Sequence, residues 1–177
     1  EHYNPIIRKI RNIEKPVVAA VNGVAAGAGA SIALACDIVV ACESASFIQA
    51  FSKIGLIPDS GGTYFLPRLV GMQKATALMM TAEPVSAKDA VEIGMIYKAF
   101  SNDSFEQESW KLVSKLAAMP TKGLGLTKRL LNASYNNDLE QQLTLEDNCQ
   151  TIAGNSDDFK EGVEAFLEKR KPTFKGK

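Results

Sequence analysis

Histidine is almost missing from this chain: His2 is the only one in 177 residues. That excludes Ser-His-Asp and Cys-His nucleophile chemistry and the two-histidine zinc helix. Cysteine is nearly as scarce. Cys36, Cys42 and Cys149 are odd in number and lack CxxC spacing, and Cys36 and Cys42 sit among apolar residues. They read as reduced core thiols of a cytoplasmic protein, too few to build a zinc site, so no metal is expected. Net charge is absent too, since 20 basic and 20 acidic residues cancel. No overall field draws the chain to nucleic acid or to an anionic membrane. No apolar run is long enough to cross a bilayer. The nearest, Val17 to Ala35, is interrupted by Asn22 and by Gly23, Gly27 and Gly29.

What is present suffices for a packed core, with 46% of residues hydrophobic. The chain opens on Glu1 rather than Met and enters at once into Ile6, Ile7, Ile10 and Ile13, a helical stripe. It therefore reads as N-terminally truncated. Val17–Val21 and Asp37–Ala41 read as buried parallel strands around a small-residue helix over 27–35, and 45–49 as a further short strand. Helices are predicted over 60–70, 72–80 and 86–93, the last with a Ser86/Asp89 capping box, followed by a strand over 95–100. Beyond about residue 103 the signals are all helical: 104–118, 121–135, 138–152 and 157–170. The expected organisation is an α/β core over 1–100 and an α-helical region over 101–177.

Two glycine-rich corners carry the chemistry. The first is Gly-Val-Ala-Ala-Gly-Ala-Gly-Ala over 23–30, and the second Gly-Leu-Ile-Pro-Asp-Ser-Gly-Gly-Thr over 55–63. At the first, amides of a helix start can face a phosphate or a developing oxyanion. Close packing of helix on sheet explains the same small residues. A dinucleotide fingerprint fails because position 32 is Ile. At the second, Asp59 is the only charged residue between Ile54 and Leu66. It reads either as a proton-transfer acid or as an N-cap for the helix that follows. Leu56, Ile57, Phe65 and Leu66 are expected to desolvate it.

Together the corners resemble the enoyl-CoA hydratase/isomerase (crotonase) superfamily. The resemblance rests on Lys15-Pro-Val-Val-Ala-Ala-Val-Asn-Gly23, Gly27-Ala-Gly-Ala30, Asp37-Ile-Val-Val-Ala41, Gly55-Leu-Ile-Pro58 and Gly61-Gly-Thr63. It continues through Leu66-Pro-Arg-Leu-Val-Gly71, Thr81–Ala87 and Ala90–Gly94 to Gly162–Pro172. The alanine-rich corner and Ile57-Pro58-Asp59 look most like the isomerases of phenylacetate degradation. The implied fold is the crotonase-like spiral ββα core, here lacking its N-terminal strands, with a C-terminal helical region used for trimerisation. Leu112, Leu116, Leu130, Leu131, Leu143 and Leu145 are candidates for that contact.

The resemblance further implies that Asp59 carries a proton between C4 and C2 of a 3-enoyl-CoA or a ring-derived unsaturated thioester. The amide of Ala28 would be the second donor of an oxyanion hole whose first donor belongs to the family's N-terminal segment. Hydratases of the family carry glutamates where this chain has Ser31 and Phe51, which favours an isomerase. Val24, Ala26, Gly27, Phe51 and Pro58 would shape the acyl site, and Phe166 and Lys169 would lie near the CoA. The basic run Lys169, Arg170, Lys171, Lys175 and Lys177 also reads as a solvated helix end. No cofactor is expected beyond the coenzyme A of the substrate, and the expected partner is a second and third copy of the chain in a trimer or hexamer. A hydratase using Asp59, Glu43 or Glu83, and a non-catalytic acyl-CoA binder, are the alternatives.

Overall fold

The computed structural model describes residues 3–177; Glu1 and the solitary histidine, His2, lie outside the described residues. The described residues divide into two compact units, one of residues 3–11 and 17–111, the other of residues 12–16 and 112–177.

In the first unit, helix α1 (Asn4–Asn12) precedes β1 (Val18–Val21), β2 (Val24–Ala26), α2 (Ala28–Ala35), β3 (Ile38–Cys42) and β4 (Ser46–Ile48). A 3₁₀ turn over Ala50–Ile54 leads to α3 (Gly62–Val70), α4 (Met72–Thr81), β5 (Val85–Ser86), α5 (Ala87–Glu92) and β6 (Lys98–Phe100). Strands β1, β3 and β6 form a parallel sheet, with Val18 opposite Ile38 and Val40 opposite Lys98. A second sheet pairs β2 parallel to β4 and β4 antiparallel to β5. Ala30, Leu34, Val39, Ala41, Phe47, Leu66 and Val85 from both sheets and their helices share one buried apolar cluster.

The small residues of α2 have a structural consequence. Ala30, Ser31, Ala33, Leu34 and Ala35 are all buried, so this helix has almost no solvent face and must begin close to the sheet residues before it. Asp37 fastens the same region from the other end. Its carboxylate accepts the Val17 N–H at 2.8 Å and the Arg11 guanidinium at 3.3 Å, tying α1 to the starts of β1 and β3.

Several sequence expectations required correction. Strand β2 and its sheet were not anticipated, and neither was the 3₁₀ turn. The strand expected over 95–100 pairs only from Lys98, although Met95 and Ile96 are buried. The last helix ends at Leu167 rather than 170. There Lys169 turns left-handed (φ 55°), its N–H donates to the Phe166 carbonyl and the Arg170 N–H to that of Ala165. This is the Schellman closure, with lysine where glycine is usual.

The second unit holds the C-terminal part of α6 (Phe105–Ala117), then α7 (Thr121–Ser134), α8 (Leu139–Gly154) and α9 (Asp157–Leu167). Asp138 and Gln141 form a reciprocal capping box on α8, and Ser156 caps α9 by accepting the Phe159 N–H. Cys149 is buried, as is Cys42 of the first unit, and all three cysteines are free thiols. Cys36 is only half-buried.

Gly125 fixes one approach sterically. A Cβ there would meet the Glu14 carbonyl oxygen at 2.7 Å, and backbone cannot swing aside as a side-chain tip can. Gly125→Ala is therefore expected to destabilise this unit by about 1–3 kcal/mol, read as a lowered denaturant midpoint; an unchanged midpoint would contradict the packing described.

The C-terminal tail is held by charge. Arg170 donates two hydrogen bonds to Glu161, at 2.6 and 2.9 Å, and one to Glu168 at 2.6 Å. Buried Asp158 accepts the Lys175 and Gly176 amides at 2.6 and 2.9 Å. Hydrogen bonding from Arg170, reinforced by the Thr173 N–H, lowers the Glu161 pKa from 4.5 to about 2. A depressed carboxylate stabilises the folded form fully above its unfolded pKa and loses that contribution as pH falls through the folded one. Wild type should thus lose stability relative to Glu161→Gln between about pH 4.5 and 2. Parallel acid-unfolding profiles of the two proteins would contradict this.

Candidate active site

Both glycine corners lie in the first unit. At the first corner, β2 ends at Ala26 and Gly27 turns the chain into α2 with φ 53° and ψ −121°, a combination that suits only glycine. The Gly27 N–H is occupied, donating to the Ile48 carbonyl at 2.8 Å. Ala28 is the first residue of α2, and the amides of a helix's first turn have no carbonyl partner within it. Ala28 is half-buried, and its side chain is a methyl group, the smallest obstruction after hydrogen. The Phe51 ring is buried against this corner. A Cβ on Gly27 would touch its Cζ at 3.7 Å.

At the second corner, Asp59 does not cap α3. The N-cap residue is Gly61 and no side chain accepts a hydrogen bond there. The Asp59 carboxylate instead accepts the Ser60 hydroxyl at 2.9 Å, while its carbonyl oxygen accepts the Gly62 N–H at 2.8 Å. The capping interpretation is thereby removed.

Ser60 and Gly61 are both left-handed, with φ of 53° and 77°. A non-glycine residue held there costs about 1–3 kcal/mol, and such strain clusters at functional sites. The turn buries Ser60 and leaves Asp59 exposed. The expected desolvation of Asp59 is corrected by the same geometry: Leu66 is buried, but Leu56 and Ile57 project outward, Ile57 being 82% exposed. Asp59 is exposed rather than enclosed, and in sequence it follows a rim of exposed apolar residues, Ile54, Leu56 and Ile57. Exposed apolar residues grouped in this way mark a binding surface.

A groove of about 480 Å³ opens from this rim, lined among others by Leu56, Ile57, Pro58, Thr63, Pro67 and Met79. Pro58 and Thr63 bracket Asp59 in sequence. Of the residues expected to shape an acyl site, only Pro58 lines this groove. Val24 and Ala26 are exposed on β2, and Phe51 is packed inward at Gly27. The sequence reading missed Thr63, Pro67 and Met79; the paired Met79-Met80 of α4, adaptable side chains at an apolar surface, were the available signal.

Phe166 and Lys169 belong to the second unit. Phe166 is 81% exposed and lines a separate apolar groove of about 530 Å³ with Phe159, Val163 and Phe174. Lys169 occupies the left-handed helix end, and Arg170 is engaged by Glu161 and Glu168. Among the described residues no group of His, Cys, Asp and Glu could hold a metal ion, and no helix is long and apolar enough to cross a membrane.

Known proteins share this fold. The family model for enoyl-CoA hydratase/isomerase matches residues 1–177. The 1,2-epoxyphenylacetyl-CoA isomerase of Escherichia coli is 49% identical over 99% of the chain and 67% of its own length. A Rhodobacter capsulatus protein named "Probable enoyl-CoA hydratase" is 46% identical over the whole chain and 69% of its own length. Among solved structures, an enoyl-CoA hydratase from Polaromonas sp. JS666 superposes with a TM-score of 0.93 at 38% identity, over 98% of this chain and 67% of that one.

Proposed function

Because the chain belongs to the enoyl-CoA hydratase/isomerase family, we propose that it is an acyl-CoA double-bond isomerase. Its substrate would be a 3-enoyl-CoA or a ring-derived unsaturated thioester. The observation that carries this reading is Asp59: a lone carboxylate that follows an apolar rim in sequence, relieved of any capping duty and held by a strained turn.

In this scheme the Asp59 carboxylate takes a proton from C2 of the 3-enoyl thioester. The electron pair moves into the conjugated dienolate, and the charge that develops on the thioester oxygen is met by the Ala28 N–H. Asp59 then gives the proton to C4, the double bond settles between C2 and C3, and the carboxylate is regenerated. One acid suffices because the same face of the dienolate presents both carbons. Hydration would require a base on water together with an acid at C2, and Ser31 and Phe51 supply neither. The acyl group would lie along the groove beyond Pro58, and no cofactor is needed besides the coenzyme A of the substrate.

Assembly into a trimer or hexamer through the C-terminal helices belongs to the same proposal. It is supported by exposed Leu131, Leu143, Phe166 and Leu167, and a monomeric mass for the full protein in solution would end it. Of the other leucines offered for that contact, Leu112, Leu116, Leu130 and Leu145 are half-buried within the chain itself.

Deuterium transfer tests the chemistry. A 3-enoyl-CoA carrying deuterium at C2 should be converted to the 2-enoyl isomer, with label delivered to C4 except where the exposed acid exchanges it with water. No conversion of the 3-enoyl thioester would defeat the reading.

A further inference from the structure

Two buried polar atoms beneath the Asp59 turn are unaccounted for. Ser31 is 0% exposed and Gln49 5%, yet Ser31 Oγ and Gln49 Oε1 have no hydrogen-bond partner among the described residues. Buried polar groups are almost always paired, and leaving them unpaired costs stability.

Both atoms surround the same backbone. A Cβ on Gly62 would lie 2.7 Å from Ser31 Oγ, 3.6 Å from Gln49 Oε1 and 3.4 Å from Pro58 Cβ. Gly62 is in turn joined to Asp59 by its 2.8 Å N–H···O bond. The pair also reaches the other corner. Ser31 hangs from the first turn of α2, three residues after Ala28, and its N–H donates to the Gly27 carbonyl. Gln49 follows Ile48, whose carbonyl holds the Gly27 N–H, and precedes the 3₁₀ turn that carries Phe51.

We propose that Ser31 and Gln49 are positioning residues, a polar seat under Gly62 that fixes the Asp59 turn relative to the Ala28 amide. The inference rests on the isomerase reading above. Neither oxygen is hydrogen-bonded among the described residues, but both are among the atoms nearest to a Cβ built on Gly62, so the seat acts through close packing and the hydroxyl and amide dipoles against the start of α3. An apolar pair would pack there without those dipoles, and would fold at least as well. Stability and catalysis should therefore separate at these two positions.

The experiment compares Ser31→Ala, Gln49→Met and Ser31→Cys with wild type and Asp59→Asn in the full protein, using a 3-enoyl-CoA substrate. Ser31→Ala and Gln49→Met should unfold at or above the wild-type denaturant midpoint. Their kcat should fall about tenfold or more with KM within about twofold, since only transition-state geometry is disturbed. Ser31→Cys, which keeps a weak donor of similar size, should recover part of the loss.

Two results overturn the proposal while leaving the isomerase reading intact. One is wild-type kcat in Ser31→Ala and Gln49→Met alongside an inactive Asp59→Asn. The other is a loss of kcat matched by a loss of stability, which would make the pair ordinary packing. Full activity in Asp59→Asn would instead remove the isomerase reading, and this inference with it.

Discussion

Asp59→Asn is expected to lower kcat for 3-enoyl-CoA isomerisation by roughly 10²–10⁴-fold, the range over which a positioned general base contributes. The change is nearly isosteric, and the Asn carbonyl can still accept the Ser60 hydroxyl, so folding should be preserved. KM should change little, because the carboxylate acts on a carbon-bound proton in the transition state rather than on the resting thioester. The one side-chain hydrogen bond of Asp59 comes from the Ser60 hydroxyl and can be kept by Asn, so a loss of kcat would report on the charge and not on the turn. If kcat survives within a few-fold, Asp59 belongs to the turn and not to the chemistry.

The second large effect is expected at Ala28. A side-chain change there leaves the amide in place, whereas proline deletes it. Proline is accommodated at the first residue of a helix, and Ala28 is that residue in α2. Loss of one oxyanion donor typically costs about 10²–10³-fold in kcat. Ala28→Pro should therefore show a near-native unfolding midpoint and a kcat lowered by about that factor. Ala28→Gly, which keeps the N–H, should stay within a few-fold of wild type. Equal loss in both variants would mean that the corner serves close packing and not the thioester oxygen.

How far the sequence spoke for itself differed between elements. The helices declared themselves through apolar spacing and, at Ser86 with Asp89, a cap that sits at an observed helix start; the caps at Asp138 and Ser156 went unread. Strand β2 did not, because three residues carry no period and its partners lie over 20 positions away, at 46–48. At the second corner, the residue type of Asp59 was readable but its direction was not. That direction follows from a positive φ at Ser60, which nothing about serine announces. The apolar neighbours Leu56 and Ile57 were therefore expected to cover an acid that is exposed. Ser31 was noticed as the absence of a glutamate. Its burial beside Gly62 and Gln49 appears only when three elements, far apart in the chain, are brought to one point.

Whether this chain moves a proton or adds water is decided most directly by running the reaction in H₂¹⁸O. The full protein would be given a 3-enoyl-CoA and, separately, a 2-enoyl-CoA, and the thioester products weighed by mass spectrometry. Proton shuttling by Asp59 predicts that the 3-enoyl substrate becomes an isomer of unchanged mass, with no ¹⁸O in the principal product of either reaction. A hydroxyacyl thioester carrying ¹⁸O as the main product, with the 3-enoyl substrate untouched, would contradict it.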